Sequence, residues 1–293
     1  MKRISFLILA GLFTFSSCDK PSDPYKDNGA NIGDQGGTIF YGPDFFDTYP
    51  SSVLLEDFTG FKCQNCGPAI QAANDLGDQW GDRLVVVGYH VLEFFAAPDA
   101  NPQPPDFIFS KDFRTEEGEE LASNYNVLAL PQGLVNRTDF GSGPLQFAGQ
   151  WAGRVSEQMD LAPRGFVDVI ADSISVEGDQ IKVGVAVRPL SPVDEDWNLV
   201  VGIFENDIIE GQKDGSDIIF PFVHKHVFRG YINGLAGQSV ITPSSEFAEG
   251  EADYYSFTKQ VNSEWVLQNC YAFAFLQNTA TLEILAVSST AIP

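Results

Sequence analysis

Val53-Leu54-Leu55-Glu56-Asp57-Phe58-Thr59-Gly60-Phe61-Lys62-Cys63-Gln64-Asn65-Cys66-Gly67-Pro68 runs from an apolar stretch directly into a Cys-x-x-Cys pair. The run Ser52 to Phe58 is short and apolar and predicts a buried strand. Beyond the second cysteine, Ala69, Ala72, Ala73, Leu76 and Trp80 recur at the spacing of one helix face. Leu84 to His90 is a second apolar strand. Strand, helix and strand, with both strands buried, predict a parallel βαβ unit with the cysteines at its first strand–helix junction.

Outward from this unit the chain changes texture. Ala96 to Pro105 is rich in proline and reads as a loop. Thr115 to Tyr125 reads as a helix, and Leu145 to Met159 as another, with Phe147, Trp151 and Val155 four apart. After Pro163 the helical periodicity stops. Strands are expected over Phe166–Val176, Gln180–Val187, Trp197–Glu205, Phe220–Phe228, Tyr254–Val261, Tyr271–Leu276 and Leu282–Val287. About seven short strands without a helix predict a β-sandwich of immunoglobulin-like type. The expected division is 51–160 for an α/β domain and 161–293 for the sandwich.

The N-terminus reads as an address. Lys2 and Arg3 precede the apolar run Ile4 to Phe15, which is shorter than the roughly 20 residues of a membrane span. It ends in Phe15-Ser16-Ser17-Cys18. This resembles a bacterial lipoprotein signal, with 1–17 removed and diacylglycerol carried on Cys18. The alternative is a secretory peptide with an incidental cysteine. Residues 18–50, polar and punctuated by Pro and Gly, are expected to be a flexible tether.

Composition closes several routes. The 293 residues carry 17 Lys and Arg against 40 Asp and Glu, a net charge of −23. Such a balance argues against nucleic acid, whose phosphates are bound by clustered cations. It also disfavours a polybasic membrane patch, so lipid on Cys18 would be the only anchor.

The chemistry concentrates at Cys63 and Cys66. A helix N-terminus offers unpaired N–H groups and a partial positive charge, which favour a thiolate. Two cysteines three apart can close and reopen a small disulfide ring. The first sulfur is expected to be the more exposed and to attack; the second resolves. Three readings stay open: an exchanging disulfide, a static disulfide of an exported protein, and zinc. Zinc needs four ligands, and only Cys63 and Cys66 are adjacent; His224 and His226 could complete a set but lie in the other expected domain. Those two histidines are read as lying on one strand face, in a hydrogen-bonding role, with Arg229 nearby. His90 is read as capping its strand, and Cys270 as a core residue. Glu56 and Asp57 are the candidate proton acceptors for the second thiol. Neighbours on a strand point to opposite faces, so at most one can serve.

Asp57, six positions before Cys63, and Pro131, between Asn126–Leu130 and Gly133–Val135, resemble the thioredoxin-fold pattern. The resemblance implies that Pro131 is a cis-proline lying against the disulfide and that the backbone before it pairs with an extended substrate. It favours Asp57 over Glu56. More closely, Val53 to Gly60 with the cysteine pair, Pro131 to Asn136-Arg137, and His224-Lys225-His226-Val227-Phe228-Arg229-Gly230 resemble the outer-membrane-protein-28-related lipoproteins. That family implies a lipid-anchored, outer-membrane protein with a thioredoxin-like domain followed by a β-sandwich. Lys62 stands where thioredoxins have Trp, Gln64-Asn65 where they have Gly-Pro, and Gln132 where they have Thr. The expected function is thiol–disulfide exchange with extended polypeptides through Cys63, resolved by Cys66, with catalytic roles for Pro131 and Asp57. It calls for no cofactor and no metal. The alternative is a non-enzymatic envelope or surface interaction protein in which Cys63–Cys66 is a structural staple.

Overall fold

The computed structural model describes residues 34–103, 108–171 and 174–293. The expected signal, Cys18 and the first part of the tether lie outside the described residues. In chain order the elements are β1 (Asp34–Phe40), β2 (Val53–Thr59), α1 (Cys66–Trp80), β3 (Leu84–His90), α2 (Glu93–Ala96), α3 (Glu116–Asn124), β4 (Gln132–Val135), β5 (Leu145–Phe147) and α4 (Ala148–Met159). There follow β6 (Gly165–Val169), β7 (Ser175–Glu177), β8 (Gln180–Pro189), β9 (Trp197–Glu205), β10 (Ile208–Asp214), β11 (Asp217–His224), β12 (Val227–Tyr231), β13 (Gln238–Ile241), β14 (Glu251–Gln260), β15 (Cys270–Asn278) and β16 (Ile284–Ala291). The protein is mostly β.

The βαβ reading of the opening segment holds. β2 and β3 pair in parallel, from Val53 opposite Leu84 to Thr59 opposite His90, and every residue of both strands is buried. Helix α1 crosses over them. Cys66, Ala69, Ile70, Ala73 and Leu76 form its buried face. β4 adds antiparallel on the other side of β2, with Phe58 opposite Gln132. Gly133 permits that approach, because a Cβ there would stand 2.6 Å from the Glu56 carbonyl and 2.9 Å from Trp151.

The boundary expected at 160/161 does not divide the sheet. One nine-stranded sheet runs β16-β15-β9-β12-β3-β2-β4-β5, with β13 on β9. The join between the two regions is narrow: Val227 of β12 pairs with Gly88 of β3, and the Gly88 N–H donates to the His226 carbonyl at 2.7 Å. A second sheet, β1-β14-β8-β6 with β7 on β8, packs on the β9, β15 and β16 end. Trp197, Leu199, Val201, Val183, Val185, Phe257 and Leu276 fill the space between. Cys270 is part of this core, as expected, and burial pushes its thiol up to about 12.

Three local expectations need correction. β1 falls inside the stretch read as a tether; it pairs with β14, and Tyr41 and Phe46 just after it pack on Phe166. The expected helix Leu145–Met159 begins as a strand, because Leu145 to Phe147 satisfy their backbone groups on β4 before α4 starts. The single strand expected over Phe166–Val176 is two, β6 and β7, both on β8.

Candidate functional site

Cys63 and Cys66 are joined in a disulfide, with Cα atoms 5.4 Å apart. Cys63 lies between β2 and the helix, and Cys66 is the first residue of α1. The intervening turn is tight: the Cys63 N–H donates to the Gly60 carbonyl at 3.0 Å, and the Lys62 N–H to the Phe95 carbonyl at 2.9 Å. Gly60 is required here, since a Cβ would come within 2.6 Å of that Phe95 oxygen. The Lys62 ammonium is paired with Asp99 at 2.6 Å, so its field is shared rather than aimed at the sulfurs alone. Pro131 follows a cis bond from Leu130 and, by the β2–β4 register, stands level with Thr59 at the same end of the sheet.

The expected exposure of Cys63 is not found. Cys63 is 2% exposed and Cys66 is fully buried. The reason is a hairpin that the sequence reading missed. β10 and β11 pair only with each other and lie over the disulfide turn. The Lys213 N–H donates to the Phe61 carbonyl at 2.8 Å, the Gly215 N–H to the Gln64 carbonyl at 2.9 Å, and the Gln212 amide to the Cys63 carbonyl at 3.3 Å. Glu210, at the root of the hairpin, accepts from the N–H groups of Phe109, Ser110, Lys111 and Gly211. Burial works against its charge, but those donors outweigh it and hold its carboxyl below the usual carboxylate range. The outer side of the hairpin exposes Ile209, Ile218, Ile219, Phe220 and Val223.

Glu56 and Asp57 point to opposite faces, as strand alternation requires. Glu56 meets Arg137 in a two-pronged pair at 2.7 and 2.8 Å, both side chains buried. The Tyr89 hydroxyl donates to Glu56 at 3.3 Å and shares a 2.8 Å bond with Tyr231, and Arg137 also donates to Gln277 at 3.1 Å. This network ties β2 to β15. Asp57 is on the α1 side. It is 2% exposed, its Oδ1 has no hydrogen-bond partner among the described residues, and desolvation raises its carboxyl to about 8.

All three histidines of the chain gather around Asp57. Asp57, Thr59, His90, His224 and His226 line one small cavity under α1, closed by Ile70, Ala73 and Asn74. His224 and His226, expected in the other domain, thus meet the residues of β2 and β3. The strand expected for them is corrected: β11 ends at His224, and His226 sits at φ +58 in the turn before β12, so the pair does not share a strand face. His90 caps nothing, since neither ring nitrogen has a partner. Its ring lies edge-on to Phe113 and His224, at 4.9 and 5.6 Å between centroids. Desolvation lowers all three: His90 well below its ordinary value, His224 and His226 to about 4. At neutral pH the cavity therefore holds a protonated carboxyl among neutral imidazoles. Among the described residues no group of three or more His, Cys, Asp or Glu is arranged to hold a metal. Nor, among those residues, is any helix long and apolar enough to cross a membrane.

A family model described as outer membrane protein Omp28 matches residues 118–293, more than half of the chain. The chain belongs to the Omp28 family. Its location is accordingly the outer membrane. The match starts beyond the cysteine pair, so the chemistry of this Omp28-family protein at residues 53–90 rests on its own geometry. HBP35 of Porphyromonas gingivalis superposes with a TM-score of 0.62 at 12% identity, over 84% of this chain and 76% of that one. A protein of Agrobacterium tumefaciens does so with a TM-score of 0.50 at 15% identity, over 84% of this chain and 96% of that one. A domain of the outer membrane lipoprotein Omp28 from Porphyromonas gingivalis is 19% identical, covering 45% of this chain and 90% of the domain, with a TM-score of 0.32. At these identities the two larger superpositions describe a shared fold. Comparison with curated proteins finds no match.

Proposed function

We propose that this Omp28-family protein is a lipid-anchored thiol–disulfide exchange protein of the outer membrane. In this reading residues 51–160 are a thioredoxin-like part, residues 161–293 an immunoglobulin-like sandwich, and Cys18 the lipid anchor. One observation carries it. A buried carboxyl with an unpaired oxygen sits on the strand that leads into Cys63, beneath the helix face that begins at Cys66. A staple needs no such acid. An exchanging pair does, because the leaving thiolate must take a proton in a place closed to bulk water.

The step balances as follows. A thiolate on an extended polypeptide attacks Cys63 Sγ, and a mixed disulfide forms. The Cys63–Cys66 bond breaks and its electron pair leaves on Cys66 Sγ, which takes the proton of Asp57. A second substrate thiolate then attacks the substrate sulfur of the mixed disulfide and releases the Cys63 thiolate. Two substrate thiols become one disulfide, and the protein's disulfide becomes a dithiol. Pro131, at the same sheet end, would border the path of the polypeptide. The β10–β11 hairpin must swing off before the first attack.

The reverse direction gives the test: the Cys63 thiolate attacks a substrate disulfide, one substrate sulfur leaves as thiolate, and Cys66 resolves the mixed disulfide, so a Cys66→Ser variant should trap polypeptides on Cys63 in envelope fractions and Cys63→Ser should trap none. Failure of both to trap would leave the second reading, an interaction lipoprotein with a structural staple. The burial of Cys63 is the observation that favours that alternative. Cys18→Ala should release the protein from membranes.

A further inference from the structure

The cavity around Asp57 shares a wall with a surface cleft of about 430 Å³: Asn74, Val86, Lys225 and His226 line both. The inner space is about 10 Å³, room for the centre of one water molecule, and a buried water of this kind takes two to four polar partners. Five of the residues that line it carry atoms without a partner among the described residues: Asp57 Oδ1, Thr59 Oγ1, both His90 nitrogens, His224 Nδ1 and His226 Nδ1. His226 is also fixed in place: its N–H donates to Asn206 Oδ1 at 2.6 Å, its carbonyl accepts from Gly88, and its ring lies 5.5 Å from that of Phe204.

We propose that His226 is a proton-relay residue, joining the Asp57 carboxyl, through one internal water, to the cleft between α1 and the β9–β10 connection. The inference rests on the exchange reading, since it supplies the proton which that reading consumes. When Cys66 takes the Asp57 proton, a bare carboxylate is left in a desolvated site. The water returns a proton to Asp57 and takes one from His226, and His226 is refilled from solvent in the cleft. A neutral imidazole suits this, because one nitrogen gives a proton while the other accepts. The charged and titratable groups around the route are Asp78 and Asp82 from the end of α1 and the turn after it, Asp207 and Lys225 at the cleft, His224 from β11, and His90 with Arg229 behind it. The three carboxylates at the mouth favour local proton supply.

The test uses the full chain and dithiothreitol as the thiol. His226→Gly removes the ring at a left-handed position that glycine adopts without strain. His226→Asn, also tolerated there, keeps a polar side chain without the relay. Proton uptake from solvent after reduction of Cys63–Cys66 near neutral pH, read with a pH indicator, should slow by about tenfold or more in both variants. It should become dependent on buffer concentration, whereas the wild-type rate should not. Added imidazole should restore His226→Gly and leave His226→Asn slow. Should both variants take up the proton at the wild-type rate, without response to imidazole or buffer, the relay is overturned while exchange stands. Should the native wild-type disulfide resist dithiothreitol altogether, both fall.

Discussion

Glu56 and Asp57 are adjacent on one buried strand and live in opposite worlds. Both Glu56 oxygens are occupied by Arg137, and the network passes through Tyr89, Tyr231 and Gln277 to the far strands. Asp57, one residue on, has an oxygen without a partner, and its neighbours are imidazoles with unpaired nitrogens. Charge buried for architecture is paired, because an unpaired ion in a desolvated site costs several kcal/mol. Charge withheld, as a neutral carboxyl among neutral histidines, is the arrangement that the exchange reading uses to move protons. One face of β2 holds the two halves of the sheet together; in the exchange reading the other serves the disulfide.

The contrast breaks first under acid. The three histidines have folded pKa values below their ordinary 6.5, so the unfolded chain binds protons that the folded chain refuses. Their contribution to stability is present above 6.5 and is lost as pH falls toward 4. Asp57 has the opposite sign. Its folded value, about 8, exceeds the ordinary 3.8, so its contribution declines as pH rises from 4 to 8. Three histidines outweigh one carboxyl. Denaturant unfolding near pH 5 should therefore lose stability with falling pH, at roughly 2–3 kcal/mol per pH unit. A flat profile from pH 7 to pH 4 would mean that these rings are not held neutral.

Next in size is the paired face. Glu56→Ala strands the Arg137 guanidinium in the core and should cost about 3–5 kcal/mol. Replacing Glu56 and Arg137 together by Met should cost much less, which a double-mutant cycle would read directly. Asp57→Asn should do the reverse of Glu56→Ala. By removing an acid that folding keeps protonated, it should stabilise the protein by about 1.4 kcal/mol per pH unit as pH rises from 4 to 8, and slow disulfide exchange at the same time. A destabilised Asp57→Asn at pH 8 would show Asp57 to be a structural partner after all. The smallest effect lies in the hairpin. Gln212→Ala removes the side-chain bond to the Cys63 carbonyl and should cost about 0.5–1.5 kcal/mol. Its mark should be faster local opening, seen as faster hydrogen exchange at Lys213 and Gly215.

The same contrast explains what the sequence made legible. β2, α1 and β3 were readable because apolar runs and a helical stripe are strong local signals. Strand alternation alone was enough to set Glu56 and Asp57 on opposite faces. The hairpin was not readable. Ile208-Ile209-Glu210-Gly211-Gln212-Lys213-Asp214 has no steady alternation, since its buried residues include Glu210 and Gln212. The exposure expected of Cys63 fails for that reason: its cover arrives from about 150 positions downstream, through backbone hydrogen bonds that no side-chain pattern advertises. The histidine cluster was half readable. His224 and His226 stood out, but their meeting with His90 and Asp57 depends on the single Val227–Gly88 pairing that joins β12 to β3. Pattern reading finds elements, whereas the site is made where distant elements touch.

The most direct test is the equilibrium reduction potential of Cys63–Cys66 in the folded, full-length protein, titrated against a dithiothreitol couple. An exchanging pair, under a hairpin that must open for the reaction, should have a potential above about −300 mV. A value below about −300 mV would class the bridge with structural disulfides and contradict the exchange account.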